Sequence, residues 1–278
     1  MVKRFLIVAV SMFTSLAANA DSFKIETATG YKTSAYVHEA KGQVRGITIV
    51  MLHGKGGKPG ASQYSGFYKD LRKAGYTIIA PRMPYSRFDA GYGQTIAVID
   101  AAVAEAVKRG NHVVIAGHSM GATISLHYGS NHHQKDIIGI MSIALGHSPE
   151  LSGKLMSVTG ESVMAARQMA ESGKGAKKKS FKDLNAGRVS TIRTTADIYL
   201  SYYDPQVFPK LANVLPNIQV PVFWLSGSED RLRYVYEAED NFNSIPPNPK
   251  SKYLEGKGGH KTVVYKQTSP MIDWLNSL

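Results

Sequence analysis

Residues 117–121 read Gly117-His118-Ser119-Met120-Gly121. The run before them, Asn111 to Ala116, is β-branched and apolar and predicts a buried strand. The run after them, Ala122 to Tyr128, predicts a helix. A strand that turns at once into a helix leaves room only for small residues at the corner. A side chain at Gly117 or Gly121 would press on the neighbouring strand or helix. Ser119 at the apex is then held in a strained backbone conformation, its hydroxyl clear of the main chain. Its oxygen lies near the amino end of the helix, where unpaired N–H groups and the macrodipole favour negative charge. This is the G-x-S-x-G elbow that presents a nucleophile. A serine N-cap on a tight turn also accounts for Ser119, but not for the partners found downstream.

Around the elbow, strands and helices alternate. Residues 23–28 and 31–40 predict an antiparallel hairpin at a sheet edge. Gly46 to Leu52 is nearly continuous in apolar residues, as a strand covered on both faces is. A helix follows from Ser62 to Ala74, a strand from Tyr76 to Ala80, a loop from Tyr85 to Gly93, and a helix from Gln94 to Arg109. After the elbow comes a strand from Asp136 to Leu145. This order predicts a mostly parallel sheet with helices on both faces. The rhythm breaks over about 148–218, where helical patches (Glu161 to Glu171 and Thr194 to Tyr203) lie among polar residues with no strand pattern. The expectation is a helical cap. Within it Lys174, Lys177, Lys178, Lys179 and Lys182 form a basic run, read as a solvated loop or as a contact for anionic surfaces. Alternation resumes with a strand over 220–225, a helix from Tyr234 to Phe242, a short strand over 251–254, and a closing helix over 266–277.

The first twenty residues have a different character. Lys3 and Arg4 precede an apolar stretch from Phe5 to Ala17, too short to span a bilayer, and Ala18-Asn19-Ala20 is an A-x-A cleavage site. The domain expectation is a signal peptide at 1–20 and one domain at 21–278, with the mature chain periplasmic or secreted. No further segment is long enough to cross a membrane. The chain has no cysteine, so neither a disulfide nor a lipid-anchored cysteine is available. Its formal charge is +12, which becomes +10 when Lys3 and Arg4 leave with the leader. That balance favours anionic surroundings, but no zinc-finger or RNA-recognition signature accompanies it, and no specific nucleic-acid partner is expected.

A serine hydroxyl is a poor nucleophile unless a base takes its proton and an acid holds the base. On a parallel sheet these groups come from loops at the carboxyl ends of the strands. His260, in the glycine-rich loop Gly256-Lys257-Gly258-Gly259-His260, is the best base. His147 at the start of the cap is its competitor. Asp230, the fourth residue of a Gly-x-x-Asp turn, is preferred as the acid over Glu229. The order serine, acid, histidine is the one this kind of sheet uses. The developing oxyanion needs two backbone donors: the N–H of Met120 and one from His53-Gly54-Lys55-Gly56-Gly57, taken as that of Lys55.

Taken together, His53-Gly54-Lys55-Gly56-Gly57, Gly117-His118-Ser119-Met120-Gly121, Gly227-Ser228-Glu229-Asp230 and Gly259-His260 resemble the landmarks of the α/β-hydrolase superfamily, in order. The resemblance covers roughly residues 44–147 and 220–278, not the cap. It implies a serine esterase, lipase, thioesterase or peptidase with a small-molecule or lipid-like acyl substrate and with no metal and no organic cofactor. Acyltransferases, lyases and inactive binding proteins share the same landmarks.

Overall fold

The computed structural model describes residues 21–110, 112–132 and 134–278. The expected leader at 1–20 lies outside the described residues, as do Asn111 and His133. The first half of the chain runs β1 (Asp21–Glu26), β2 (Lys32–His38), β3 (Ile47–Leu52), α1 (Ser65–Lys73), β4 (Thr77–Pro81), α2 (Tyr92–Arg109), β5 (His112–Ser119), α3 (Met120–Asn131) and β6 (Ile137–Leu145). The second half runs α4 (Gly153–Glu171), β7 (Lys178–Asn185), β8 (Arg188–Thr195), α5 (Ala196–Tyr203), α6 (Leu211–Val214), β9 (Val222–Gly227), α7 (Leu232–Val235), α8 (Ala238–Asn243), β10 (Lys252–Gly256), α9 (Val263–Lys266) and α10 (Thr268–Asn276).

Eight strands make one sheet in the order β1-β2-β4-β3-β5-β6-β9-β10. The β1–β2 and β2–β4 pairs are antiparallel, and the pairs from β4 to β10 are parallel. Side-chain alternation along a strand builds a core on each face. Ile49 and Met51 of β3 pack with Phe67 and Leu71 of α1 and Trp274 of α10. Val50 and Leu52 point the other way, to Val98, Ile99 and Ala102 of α2. Strand β5 is held from both sides through Val113, Val114 and Ile115, all fully buried. At about 1.5–3 kcal/mol for each such side chain, this anchoring exceeds the ~1–3 kcal/mol that one strained residue costs. The elbow at its end is thereby tolerated.

The segment between β6 and β9 departs from the sequence reading. Helices α4 and α5 are present, each capped by a side chain, Ser152 accepting from the Leu155 N–H and Thr195 from the Ile198 N–H. Between them, however, stands an antiparallel hairpin, with β7 and β8 paired from Lys178↔Thr195 to Asn185↔Arg188. The cap is therefore mixed rather than helical, and Lys178, Lys179 and Lys182 lie on a strand rather than in a loop. The reason is local. The turn is Ala186-Gly187, with φ of 50° and 76°, as a two-residue type I′ turn requires. Alanine resists positive φ, so its presence hides a turn that asparagine would announce. Along β7 only Phe181 and Asp183 are buried, and a buried aspartate does not read as an apolar beat.

A second difference lies in the stretch after β9. The continuous helix expected from Tyr234 to Phe242 is two short pieces, α7 and α8, broken where Glu237 takes φ 44°. Among the described residues, no helix is long and apolar enough to cross a membrane.

Candidate active site

Ser119 ends β5 with φ 57° and ψ −124°, a conformation held by the packing around it. A Cβ on Gly117 would lie 2.0 Å from the Gly121 carbonyl oxygen, and one on Gly121 would lie 2.3 Å from that of Leu52. Neither contact is with a flexible side chain, so only glycine fits at either place. Met120 begins α3, where the first amides have no intrahelical acceptor.

The carboxyl ends of two further parallel strands bring the other two groups in. Asp230 follows β9 in a turn closed by its own N–H donating to the Gly227 carbonyl at 2.9 Å. His260 follows β10 in the glycine-rich loop. The Ser119 hydroxyl lies 2.8 Å from His260 Nε2, and His260 Nδ1 lies 2.6 Å from Asp230 Oδ2. With Nδ1–H donating to the carboxylate, Nε2 keeps the lone pair that accepts the serine proton. Asp230 is buried, and its other oxygen accepts the Leu232 N–H at 3.0 Å. Glu229 is exposed. His147 is not at hand for Ser119: its Nε2 donates to the Tyr202 carbonyl at 2.9 Å.

His118, the variable residue of the motif, ties the loops together. A carbonyl can only accept, so His118 Nε2–H donates to the His260 carbonyl at 2.8 Å. Nδ1 is then the acceptor for the Tyr64 hydroxyl at 3.0 Å, and that hydroxyl accepts the Gly54 N–H at 3.1 Å. A neutral ring is needed for this arrangement. Burial supplies it, pushing His118 down to about 3, with the neighbouring His260 adding to the shift. The same line of bonds thus runs from the first long loop to the loop of the base.

That first loop offers one backbone donor. The Gly54, Gly56 and Gly57 amides donate to Tyr64 Oη and to the Tyr85 and Gly54 carbonyls. Among the described residues, the Lys55 amide has no such acceptor. His53 holds the loop's start, with Nδ1 donating to the Gly54 carbonyl and Nε2 accepting the Met83 N–H. Burial lowers its pKa to about 4. The loop, the elbow and the cap enclose a cavity of about 650 Å³. Its walls include Leu155, Leu184, Leu232, Val235 and Tyr236, and its floor carries Ser119 and His260. Among the described residues, no group of three or more histidine and carboxylate side chains converges as metal ligands would.

A model of the family described as serine aminopeptidase S33 matches residues 43–264. The chain belongs to that family. Membership makes it an α/β hydrolase, and the solved structures it resembles agree on the fold. An α/β hydrolase, GrgF, from Penicillium sp. sh18 superposes with a TM-score of 0.70 at 14% identity, over 93% of this chain and 97% of the other. The Pyrococcus furiosus esterase Pf2001 gives 0.62 at 18% identity, over 99% of each chain. A monoacylglycerol lipase from Paleococcus ferrophilus gives 0.66 at 17% identity, over 89% and 99%. No curated protein matches at the level of sequence.

Three residues of this S33-family chain stand in the site without a signal in the sequence. His118 and Tyr64 read as a variable position and as one side of a helix. Gly146 reads as the first residue past the strand that ends at Leu145, yet a Cβ there would lie 2.8 Å from Ser119 Oγ. We expect Gly146→Ala to keep the fold and lower kcat/KM by roughly a hundredfold, since displacing a reacting atom by about 1 Å costs that much. Steady-state kinetics beside a thermal melt checks it; an unchanged rate would show that Ser119 is not the atom crowded.

Proposed function

We propose that this α/β hydrolase is a periplasmic or secreted serine hydrolase that cleaves a carboxylic ester or related acyl bond. The observation that carries the proposal is the continuous line from Ser119 Oγ through His260 to Asp230, at 2.8 and 2.6 Å. In this reading Ser119 Oγ attacks the acyl carbon as His260 Nε2 takes its proton. The carbonyl oxygen gathers negative charge facing the Lys55 and Met120 amides. The bond to the leaving alcohol breaks, and His260 returns the proton to that oxygen. Water, deprotonated by His260, then releases the acid and restores Ser119. Asp230 holds the ring and balances its transient charge.

Ester cleavage is favoured over removal of an N-terminal amino acid by the charge of the cavity. A free ammonium on the substrate needs a carboxylate beside it. Asp230 is the one carboxylate among the cavity's described lining residues, and both its oxygens are engaged. The other charged residues of the lining, Lys55, Lys154 and Lys261, are cationic. The proposal also includes loss of residues 1–20 after Ala20 and contact with anionic surfaces through the exposed Lys174, Lys177, Lys178 and Lys179.

Hydrolysis of nitrophenyl esters of increasing acyl length, beside aminoacyl nitroanilides, tests the reading. Ester turnover should dominate, with free acid as the product even when a competing alcohol is present. Faster nitroanilide cleavage would favour a peptidase. A transferred acyl product in excess of free acid would favour an acyltransferase.

A further inference from the structure

Lys55 carries a charge into the interior. Its side chain is only 6% exposed, and its ammonium donates to Asp183 at 2.6 Å and to the Leu184 carbonyl at 2.8 Å. The Tyr203 ring lies beside it, 5.3 Å from the nitrogen to the ring centre. Asp183 Oδ1 also accepts the Tyr203 hydroxyl at 2.7 Å. From the other side, the Asn185 side-chain amide donates to the Lys55 carbonyl at 3.3 Å. Asp183, Leu184 and Asn185 are consecutive residues at the tip end of β7. The cap hairpin therefore grips one residue of the first loop twice, by its side chain and by its backbone.

A buried ion pair is a poor way to gain stability, because removing two ions from water offsets most of their attraction. Burial does pull the Lys55 pKa down, while Asp183 opposes that pull. What such a pair supplies is direction. The loop needs it: Lys55 stands between Gly54 and Gly56, and Gly56 has φ of 63°. A chain so rich in glycine has wide backbone freedom. An amide that stabilises an oxyanion is effective only when its direction is fixed before the charge develops.

We propose that Asp183 and Asn185 are positioning residues, which hold Lys55 from the cap so that its backbone N–H faces the oxyanion site beside Ser119. This rests on the acyl chemistry proposed above. It also makes docking of the hairpin and assembly of the oxyanion site one event, so that the cap acts on the rate as well as on access.

The test is kinetic, on the full chain, with Asp183→Asn, Asn185→Ala, Lys55→Met and Lys55→Arg. Each is assayed with the best ester of the nitrophenyl series and for its rate of phosphonylation by a fluorophosphonate. Asp183→Asn should lower kcat by roughly 10–100-fold and Asn185→Ala by about 3–10-fold, fractions of what losing a whole oxyanion donor costs. KM should stay within about threefold, as it does when an interaction made only in the transition state is lost. Phosphonylation should slow in step, because the P=O oxygen occupies the same place. Lys55→Arg should retain more of kcat than Lys55→Met. Folded Asp183→Asn and Asn185→Ala proteins with wild-type kcat, or with a loss confined to KM, would overturn the positioning role and leave the acyl chemistry standing. Asn185 is exposed, so its variant decides the matter if Asp183→Asn does not fold. A wild-type chain that neither cleaves esters nor takes the probe would sink the acyl reading and this one with it.

Discussion

Replacing His260 with alanine should lower kcat by about 10⁴–10⁶-fold, and adding Ser119→Ala should lower it little further. The reason is the shared proton. Ser119 Oγ has one acceptor aligned to take its hydrogen, His260 Nε2 at 2.8 Å. Without that acceptor the attacking group is a neutral alcohol. Without the alcohol the base has nothing to deprotonate but water. Two groups that act in one step cannot contribute additively, so the double variant should match the worse single variant. Asp230→Asn is a separate case. The ring stays in place, but an amide at 2.6 Å from Nδ1 can reverse the tautomer, and the loss should be about 10⁴-fold. Single-turnover and steady-state rates on a nitrophenyl ester, with circular dichroism as the fold control, check all four proteins. Double-variant losses equal to the product of the single losses would mean that Ser119 and His260 act independently.

The second large effect is on stability, and its sign follows from burial. His53, His118 and His127 are buried, with burial lowering their pKa values to about 4, 3 and 3. His147 is held well below the ordinary value by burial and by the Lys55 charge. In the unfolded chain all four titrate near 6.5. Between that value and their folded values the unfolded state binds more protons, so stability is complete above about pH 6.5 and falls as the pH drops. At pH 5 the loss is about 2 kcal/mol for each of His53, His118 and His127, or about 6 kcal/mol for the three, and His147 adds in the same direction. A whole domain has only about 5–15 kcal/mol. Urea unfolding from pH 7.5 to 5 should therefore show a steep decline, before the carboxylates begin to titrate. A flat profile over that window would mean that these rings take up protons in the folded state.

The two kinds of residue in this site differ in how they can be read from the chain. Gly117, Ser119 and Gly121 are adjacent, and the steric demand of a strand–helix corner is local, so their reading needs no fold. Asp230 is readable because it stands in a glycine-bearing turn directly after the apolar strand β9, and His260 because it stands in the glycine-rich loop after the last strand. The sheet order then brings those strand ends together. His118 serves the site through bonds to Tyr64 and to His260, 54 and 142 residues away in the chain, Gly146 through its approach to Ser119 from the next strand, and nothing local marks them. Lys55 shows the limit most clearly. Its backbone position follows from the loop, but its ammonium is paired with Asp183, 128 residues away. That partner sits on a hairpin whose turn, Ala186-Gly187, carries a weak sequence signal. The missed hairpin and the missed clasp thus go together: the Ala186-Gly187 turn is a weak signal, and the alternation along β7 rests on a buried aspartate whose partner lies elsewhere in the chain.

Intact-mass analysis after treatment with a fluorophosphonate probe bears most directly on the catalytic claim. The account predicts one covalent adduct, mapped to the peptide that contains Ser119. It should be absent from Ser119→Ala and form at least about a hundredfold more slowly in His260→Ala. An unlabelled wild type, or an adduct that persists in Ser119→Ala, would contradict it.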